Sequence, residues 1–476
     1  MTEESRSFIK EAIKEGDLIQ ARKLLFEALK NETQPEGLSP FLGELAYKFK
    51  QQGLFENAVE MLDKKCKLTN DRGDKAVLKL WLEELDTSGW FMARRNSQRT
   101  SRSMIGNKNS PLRFHRLWNY SFPNGPIPIQ ETINFPSPII ARDMLITFNE
   151  FLEALIGLSV KSGVVEWESG IVTNRFDYSM TSVYIRPYLF LAVPGSLKRI
   201  LMYNSGSAFE TVESSEHIQM SAYSVPVVLG KVAIFTFLSH VFVYDHEKER
   251  GKFYSISLRT GEMLRAPIVC NNDLFFLSNF GRIFQLPKEK DNPEIMLVKE
   301  LPCDGGEAYS APCTIDDAIY FETVNKEGLR RVGCYIPNDN RHIFGDLKDE
   351  FCNASHSHLN FTPISAGDGA LFCSDTYPRL YKAKQVADVI EIVQIKIRTH
   401  IPSININPLS QIYSSTLNSY LVSKSLGGFL YVNLMNGIAA AEVFQPQQWE
   451  MVSQPIFYGN KILFVCREGV MCYEVA

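Results

Sequence analysis

The sequence predicts a mainly β protein with an α-helical N-terminal segment: an eight-bladed β-propeller, with seven blades as the alternative, preceded by a short helical arm. Three observations predict it. Helical periodicity is confined to residues 3–87. From residue 112 onward, an apolar run, a tight turn and a β-branched or aromatic run recur. Prolines restart that phrase at intervals close to one four-stranded sheet. The expected divisions are 1–90 for the arm, 91–111 for a basic flexible linker and 112–476 for the propeller.

The chain has 476 residues, 45% hydrophobic and 22% charged, which is ordinary globular composition. A formal net charge of −4 gives no global reason to expect nucleic acid or an anionic membrane as the main partner. The nine cysteines are Cys66, Cys270, Cys303, Cys313, Cys334, Cys352, Cys373, Cys466 and Cys472. The odd count, the scatter and the absence of any CxxC pair fit free thiols in a reducing compartment. Met-Thr-Glu-Glu opens the chain without a basic region or an apolar core, so no secretory signal is expected and the location reads as cytoplasmic. The apolar stretch Val225 to Tyr244 is long enough to mimic a membrane span. Gly230-Lys231 and Ser239-His240 interrupt it where turns are needed, so two adjacent strands are expected instead.

In the arm, Gly16, Ala21 and Leu25 recur as Gly53, Ala58 and Leu62, each 37 residues later. The glycine turns the chain between two helices, and the small residue five positions on lets them approach. Residues 42–68 resemble a tetratricopeptide repeat, through Leu45, Ala46, Phe49, Gly53, Phe55, Ala58 and Leu62. Residues 5–33 match it less fully, through Phe8, Ala12, Gly16, Ala21 and Ala28, with Ile9 in place of a small residue. Residues 73–87 read as a capping helix. The resemblance implies a concave groove lined by the first helix of each repeat. Lys10, Ile13 and Lys14 match groove positions in the first repeat, and Tyr47, Lys50 and Gln51 in the second. That set would suit an acidic or C-terminal peptide; a solvated basic face is the plainer alternative.

Between arm and propeller, Arg94, Arg95, Arg99, Arg102, Lys108, Arg113 and Arg116 follow one another with no acidic residue between them. Ser, Asn and Gln fill much of the rest, so the stretch cannot bury enough apolar surface to fold alone. It reads as a soluble hinge. Contact with nucleic acid or an acidic partner, through Arg94, Arg95, Arg99 and Arg102, is the alternative.

The propeller expectation rests on turns and period. Arg142-Asp143, Gly230-Lys231, Asn271-Asn272-Asp273, Asp316-Asp317, Gly367-Asp368-Gly369 and Gly459-Asn460-Lys461 each precede an apolar run. Gly, Asn and Asp tolerate the positive φ that tight hairpins demand. Second turns carry Gly281, Gly427-Gly428 and Gly469, and third turns carry Gly163, Gly206, Gly261 and Gly437. Three turns join four strands, which is one blade. Blade starts fall at Pro138, Pro226, Pro267, Pro312, Pro363 and Pro455, with gaps of 88, 41, 45, 51 and 92 residues. The two long gaps each hold one more blade, near Val183 and near Leu409. The last blade runs out of chain after about three strands, so Arg113 to Phe122 is expected to supply its fourth and remove the open edge.

These phrases resemble the pyrroloquinoline-quinone-repeat, or quinoprotein-like, class of propeller. The fullest copy is Pro138 to Trp167, with Leu155-Ile156-Gly157-Leu158 followed by Ser162-Gly163-Val164-Val165-Glu166-Trp167. Trp118 takes the same tryptophan position on the closing strand, although few blades keep it. The Trp-Asp and Gly-His dipeptides of the other large propeller class are absent. Members of the resembling class that bind the quinone use adjacent cysteines, stacking tryptophans and calcium ligands. This chain has no adjacent cysteines, so no cofactor is expected.

Cys352, His356 and His358, with Asp349 nearby, offer metal-ligating atoms at a spacing that matches no strong zinc pattern, and they read as a loop. His240 and His246 flank a charged loop tip. Asp316-Asp317 reads as a hairpin turn and not as a catalytic pair. There is no G-x-S-x-G elbow and no P-loop. The expectation is a non-catalytic protein-interaction scaffold or adaptor with protein partners on the arm and the propeller faces. Helical repeats joined to a propeller resemble parts of many bacterial multi-protein systems, defence and regulatory ones included. Its rivals are a ligand sensor or enzyme using the central channel, and a nucleic-acid-associated subunit using the basic linker.

Overall fold

The computed structural model describes residues 3–16, 18–31, 35–51, 55–88, 102–103, 112–127, 137–149, 154–170, 182–202, 208–218, 226–229, 231–271, 273–286, 295–302, 308–315, 317–324, 330–347, 364–365, 369–373, 379–399, 414–417, 419–425, 427–444 and 449–475. They form a helical segment and an eight-bladed β-propeller.

The helical segment contains α1 (Glu3–Glu15), α2 (Leu18–Asn31), α3 (Ser39–Gln51), α4 (Phe55–Thr69) and α5 (Arg72–Ser88). Each of the first four buries one apolar stripe. Ile9, Ala12 and Ile13 serve α1; Leu18, Ala21 and Leu25 serve α2; Leu42, Leu45, Ala46 and Phe49 serve α3; Ala58, Met61 and Leu62 serve α4. The spacings i, i+3, i+4 put each set on one helical face. Gly16 turns the chain between α1 and α2 at φ +83°, a conformation that costs most other residues strain. Asp71 caps α5, its Oδ1 accepting from the Asp74 N–H at 2.8 Å. Two half-buried ion pairs cross between helices: Arg22–Glu60 at 2.7 Å and Lys65–Asp74 at 2.9 Å.

The propeller consists of eight sheets. Their first strands are Ile139–Ala141, Ser182–Ile185, Val227–Leu229, Ile268–Cys270, Cys313–Ile315, Ile364–Ser365, Ser414–Leu417 and Ile456–Tyr458, numbered here as blades 1 to 8. Pro138, Pro226, Pro267, Pro312 and Pro455 each stand immediately before one of them. Proline suits that place because it fixes φ and has no N–H for the ladder to lose. Pro363 lies outside the described residues. The blade expected near Leu409 begins at Ser414. Val225 to Tyr244 forms three strands, Val227–Leu229, Val232–Phe237 and His240–Asp245, instead of the expected two. The interruption read at Ser239-His240 is a hairpin turn at Leu238-Ser239, and His240 already belongs to the third strand. No helix among the described residues is long and apolar enough to cross a membrane.

Second strands such as Met144–Phe148, Ala318–Val324 and Lys461–Cys466 are buried along their whole length. A strand packed on both faces reads as a continuous apolar run and not as an alternation. The core therefore lies between neighbouring blades. One buried cluster joins Phe190 of blade 2, Phe235 and Phe242 of blade 3 and Phe276 of blade 4. Another joins Leu371 and Leu380 of blade 6 to Leu421 and Leu430 of blade 7. The turn chemistry holds where it can be read: Arg142 and Asp143 sit at φ +52° and +59°, the pair of left-handed residues a two-residue hairpin needs.

The ring is closed by the strand Phe114–Ser121, antiparallel to Gly469–Val475, from Phe114 opposite Val475 to Ser121 opposite Gly469. The Phe122 and Ile127 N–H groups extend the seam to the carbonyls of Glu468 and Arg467, at 3.0 and 2.8 Å. The Trp118 indole N–H donates to the Val160 carbonyl at 3.3 Å, so blade 8 is fastened to blade 1. The Ser162-Gly163 turn lies against the indole: a Cβ on Gly163 would come within 2.4 Å of Trp118 Cε3. Trp118 thus holds the seam from the outside.

Blade 7 has six strands. Arg102–Ser103 runs parallel to its first strand, with Arg102 opposite Thr416, and Arg398–Thr399 runs parallel to its outer strand Ile438–Val443. Within the stretch read as a linker, Arg102 and Ser103 are therefore committed to a sheet edge.

Candidate interaction surfaces

On the helical segment, Tyr47 and Lys50 of the second group of groove residues form one patch with a residue from the capping helix. The Tyr47 ring meets the Trp81 ring edge-on at 5.1 Å. The Lys50 ammonium lies over the Trp81 face at 4.5 Å, a cation–π geometry. Tyr47 is 50% exposed while Trp81 is buried, so the tyrosine presents its free face outward. Gln51 is exposed at the end of α3, and Lys10 and Lys14 are exposed on α1. Ile13 is in the core at 1% exposure, which removes it from any groove surface. Its burial follows from the α1 stripe it shares with Ile9 and Ala12. Lys48, which the repeat pattern did not single out, donates from Nζ to the Ile13 carbonyl at 2.9 Å and joins α3 to α1. Arg94, Arg95 and Arg99 lie outside the described residues, and Arg102 sits in the added strand of blade 7.

On the propeller, the two histidines read as a loop tip have separate neighbours. His240 stacks on His217 at 4.2 Å with 20° between the rings, and Phe253 meets His217 edge-on at 5.9 Å. Burial, then the neighbouring His217, lowers the His240 pKa below the usual histidine value. His246 packs edge-on to Tyr188 at 5.0 Å and to Phe190 at 5.9 Å, and burial lowers its pKa too. Beside it, Arg199 pairs with Glu210 and Glu249 at 3.0 and 2.9 Å and lies over the Tyr188 ring. These clusters join blades 2 and 3. The sequence showed only their residue types, because the partners that meet across the two blades stand more than 20 positions apart.

Deeper in, Glu322 and Arg330 form an ion pair within blade 5, with both side chains at 5% exposure or less. Its only sequence signal is a glutamate and an arginine inside apolar strands. Cys66, Cys270, Cys313, Cys334, Cys466 and Cys472 are free and buried, and burial pushes the thiols of Cys270, Cys334 and Cys472 up to about 12. These thiols pack as small apolar groups. Asp317 is exposed at the hairpin turn of blade 5. Cys352, His356, His358 and Asp349 lie outside the described residues. Among the described residues, no group of three or more His, Cys, Asp or Glu is placed to hold a metal ion.

No protein-family model matches the chain, and no curated protein matches it. Solved structures do. Sqt1 of Saccharomyces cerevisiae aligns over 76% of this chain and 99% of its own, at 9% identity and a TM-score of 0.50. The β-propeller domain of Myceliophteria thermophila Cps50 (Swd1) aligns over 64% and 100%, at 12% identity and a TM-score of 0.42. Apo AztD from Citrobacter koseri aligns over 64% and 85%, at 10% identity and a TM-score of 0.43. At such identities the likeness is one of fold alone.

Proposed function

We propose that this chain is a non-catalytic interaction scaffold or adaptor within a multi-protein complex, working in the cytoplasm and holding protein partners on its helical arm and propeller faces. The observation that carries the reading is the Tyr47–Lys50–Trp81 patch. An exposed aromatic ring with an adjacent ammonium, held rigidly by α3 and α5, suits a peptide that offers a carboxylate beside an apolar side chain. Lys10, Lys14 and Gln51 add donors for the same kind of partner. In this reading the arm is tetratricopeptide-like and the propeller belongs with the quinoprotein-like repeats. The second assignment leans on Trp118, which packs on the Ser162-Gly163 turn.

The test is affinity purification of the full chain with quantified stoichiometry, repeated with Tyr47→Ala and Lys50→Glu together. Tyr47 is exposed and Lys50 half-buried, and circular dichroism of the double variant checks that the packing around Trp81 survives. The expected result is a near-stoichiometric partner that the double variant loses. Recovery of no stoichiometric protein would refute the scaffold role. Recovery that ignores the double variant would remove the arm from it.

A further inference from the structure

In a propeller blade the strands run outward from the central channel, so the first strand leaves one side of its backbone facing the axis. The contacts follow that plan. The first strands of blades 2 and 3 touch, and those of blades 4, 5, 6 and 7 touch in succession, as strands gathered round one axis must. A strand added to the inner side of a first strand therefore lies in the channel.

Blade 7 carries such a strand. Arg102–Ser103 runs parallel to Ser414–Leu417, with Arg102 opposite Thr416 and Ser103 opposite Leu417, and it ends the sheet on that side. The other side of Ser414–Leu417 is taken by Tyr420–Ser425, so the added strand occupies the channel side. Among the described residues, no other first strand is paired on its inner side. Ser415, Thr416 and Leu417 are fully buried. The chain is long enough for this path. Ten residues separate Ser103 from Phe114, where the closing strand on the outer side of blade 8 begins. A four-stranded blade is about 15 Å across at about 4.8 Å per strand, and ten residues reach up to about 35 Å. The basic stretch is thus held twice, at the inner edge of blade 7 and at the outer edge of blade 8.

We propose that the channel edge of blade 7 is a strand-binding site and that this chain's own linker, through Arg102–Ser103, is its ligand. Recognition comes from backbone groups, so the occupant needs no apolar pattern, and Arg102-Ser103 has none. Two paired residues make few bonds. Tethering makes up for this, because a segment held in cis acts at an effective concentration on the order of millimolar. An extended segment of another molecule meets a filled edge until the linker is drawn out. Arg102 then serves the propeller and is not a free contact for nucleic acid. This site stands apart from the scaffold reading, since it requires no partner protein.

Two measurements on the full chain test it. In Arg102→Cys with Thr416→Cys, mild oxidation should join the two residues, because opposed strand residues stand about 4.8 Å apart and disulfides span about 4.4–6.8 Å between Cα atoms. Peptide mapping without reduction reads the bond. Arg102→Cys with Val228→Cys, on the first strand of blade 3, should give less than about a tenth of that yield. Arg102→Pro with Ser103→Pro removes both N–H groups from the ladder without touching the core of a blade. In that variant the channel-facing amides of Ser414–Leu417 should exchange about tenfold faster, while those of Ile268–Cys270 keep their rate. Equal yields from the two cysteine pairs, or unchanged exchange at Ser414–Leu417, overturns the proposal. Either result leaves the Tyr47 and Lys50 test intact.

Discussion

Trp118 is the point where closure of the ring is most exposed to test. The indole is half-buried on the outer strand of blade 8 and spans to blade 1. About 100 Å² of apolar ring surface leaves water there, worth about 2.5 kcal/mol at roughly 25 cal/mol per Å². Its 3.3 Å hydrogen bond to Val160 adds about 0.5 kcal/mol. Trp118→Ala should therefore weaken the seam by about 3 kcal/mol. A chain with two structural parts does not guarantee one global unfolding step, so the loss is best read as local opening. Amides of Phe114–Ser121 and Gly469–Val475 should exchange about a hundredfold faster by mass spectrometry, while those of Ala318–Val324 keep their rate. The contact between Trp118 and Gly163 supplies a cross-check. Gly163→Ala carries both the strain of φ +72° and the collision with the indole. In the Trp118→Ala background only the strain remains, about 1 kcal/mol, so the pair should show a coupling of about 1 kcal/mol or more. Unchanged seam exchange in Trp118→Ala, or strict additivity of the two substitutions, would refute the closure argument.

Three further outcomes follow from buried groups. Cys270, Cys334 and Cys472, with thiols near 12, should be alkylated about a thousandfold more slowly in the folded chain than in urea; peptide mapping after iodoacetamide would read this. Glu322→Ala leaves Arg330 buried without that carboxylate and should cost about 3–5 kcal/mol, whereas replacing both with Leu and Met should recover most of it; urea melts compare the two. His240, His246 and His342 are all depressed, chiefly by burial, so the unfolded chain binds the extra protons. Their contribution is complete above the unfolded value near 6.5 and is lost as pH falls through the folded values. Thermal midpoints should hold from pH 8 to 7 and drop below 6.5, and His240→Gln should soften that drop.

Much of the fold was legible because propeller blades repeat local chemistry. Each readable blade start combines a proline, a short strand and a hairpin whose residues tolerate positive φ, all within about ten positions. The closing strand could be found by counting, since the final blade lacked a fourth strand. Three things were not legible. The strand Arg102–Ser103 has no hydrophobic pattern because it is held by a backbone ladder. Three strands between Val225 and Tyr244 looked like two because a buried strand and its neighbour share one apolar run. The Trp81 contribution to the arm patch depends on α5 crossing α3, which residue spacing within either helix cannot reveal. Conversely, Ile13 fell on a groove position by repeat alignment, but its α1 stripe placed it in the core.

The seam also governs how this chain must be made. Arg467 reaches the carbonyl of Ile127 across 340 residues of sequence. During synthesis Phe114–Ser121 emerges first and waits, without its partner strand, until Gly469–Val475 has been made. Contacts of such separation are slow to form and leave a template for mispairing in the meantime. Nascent chains halted before Gly469 should therefore be the most aggregation-prone species this protein produces.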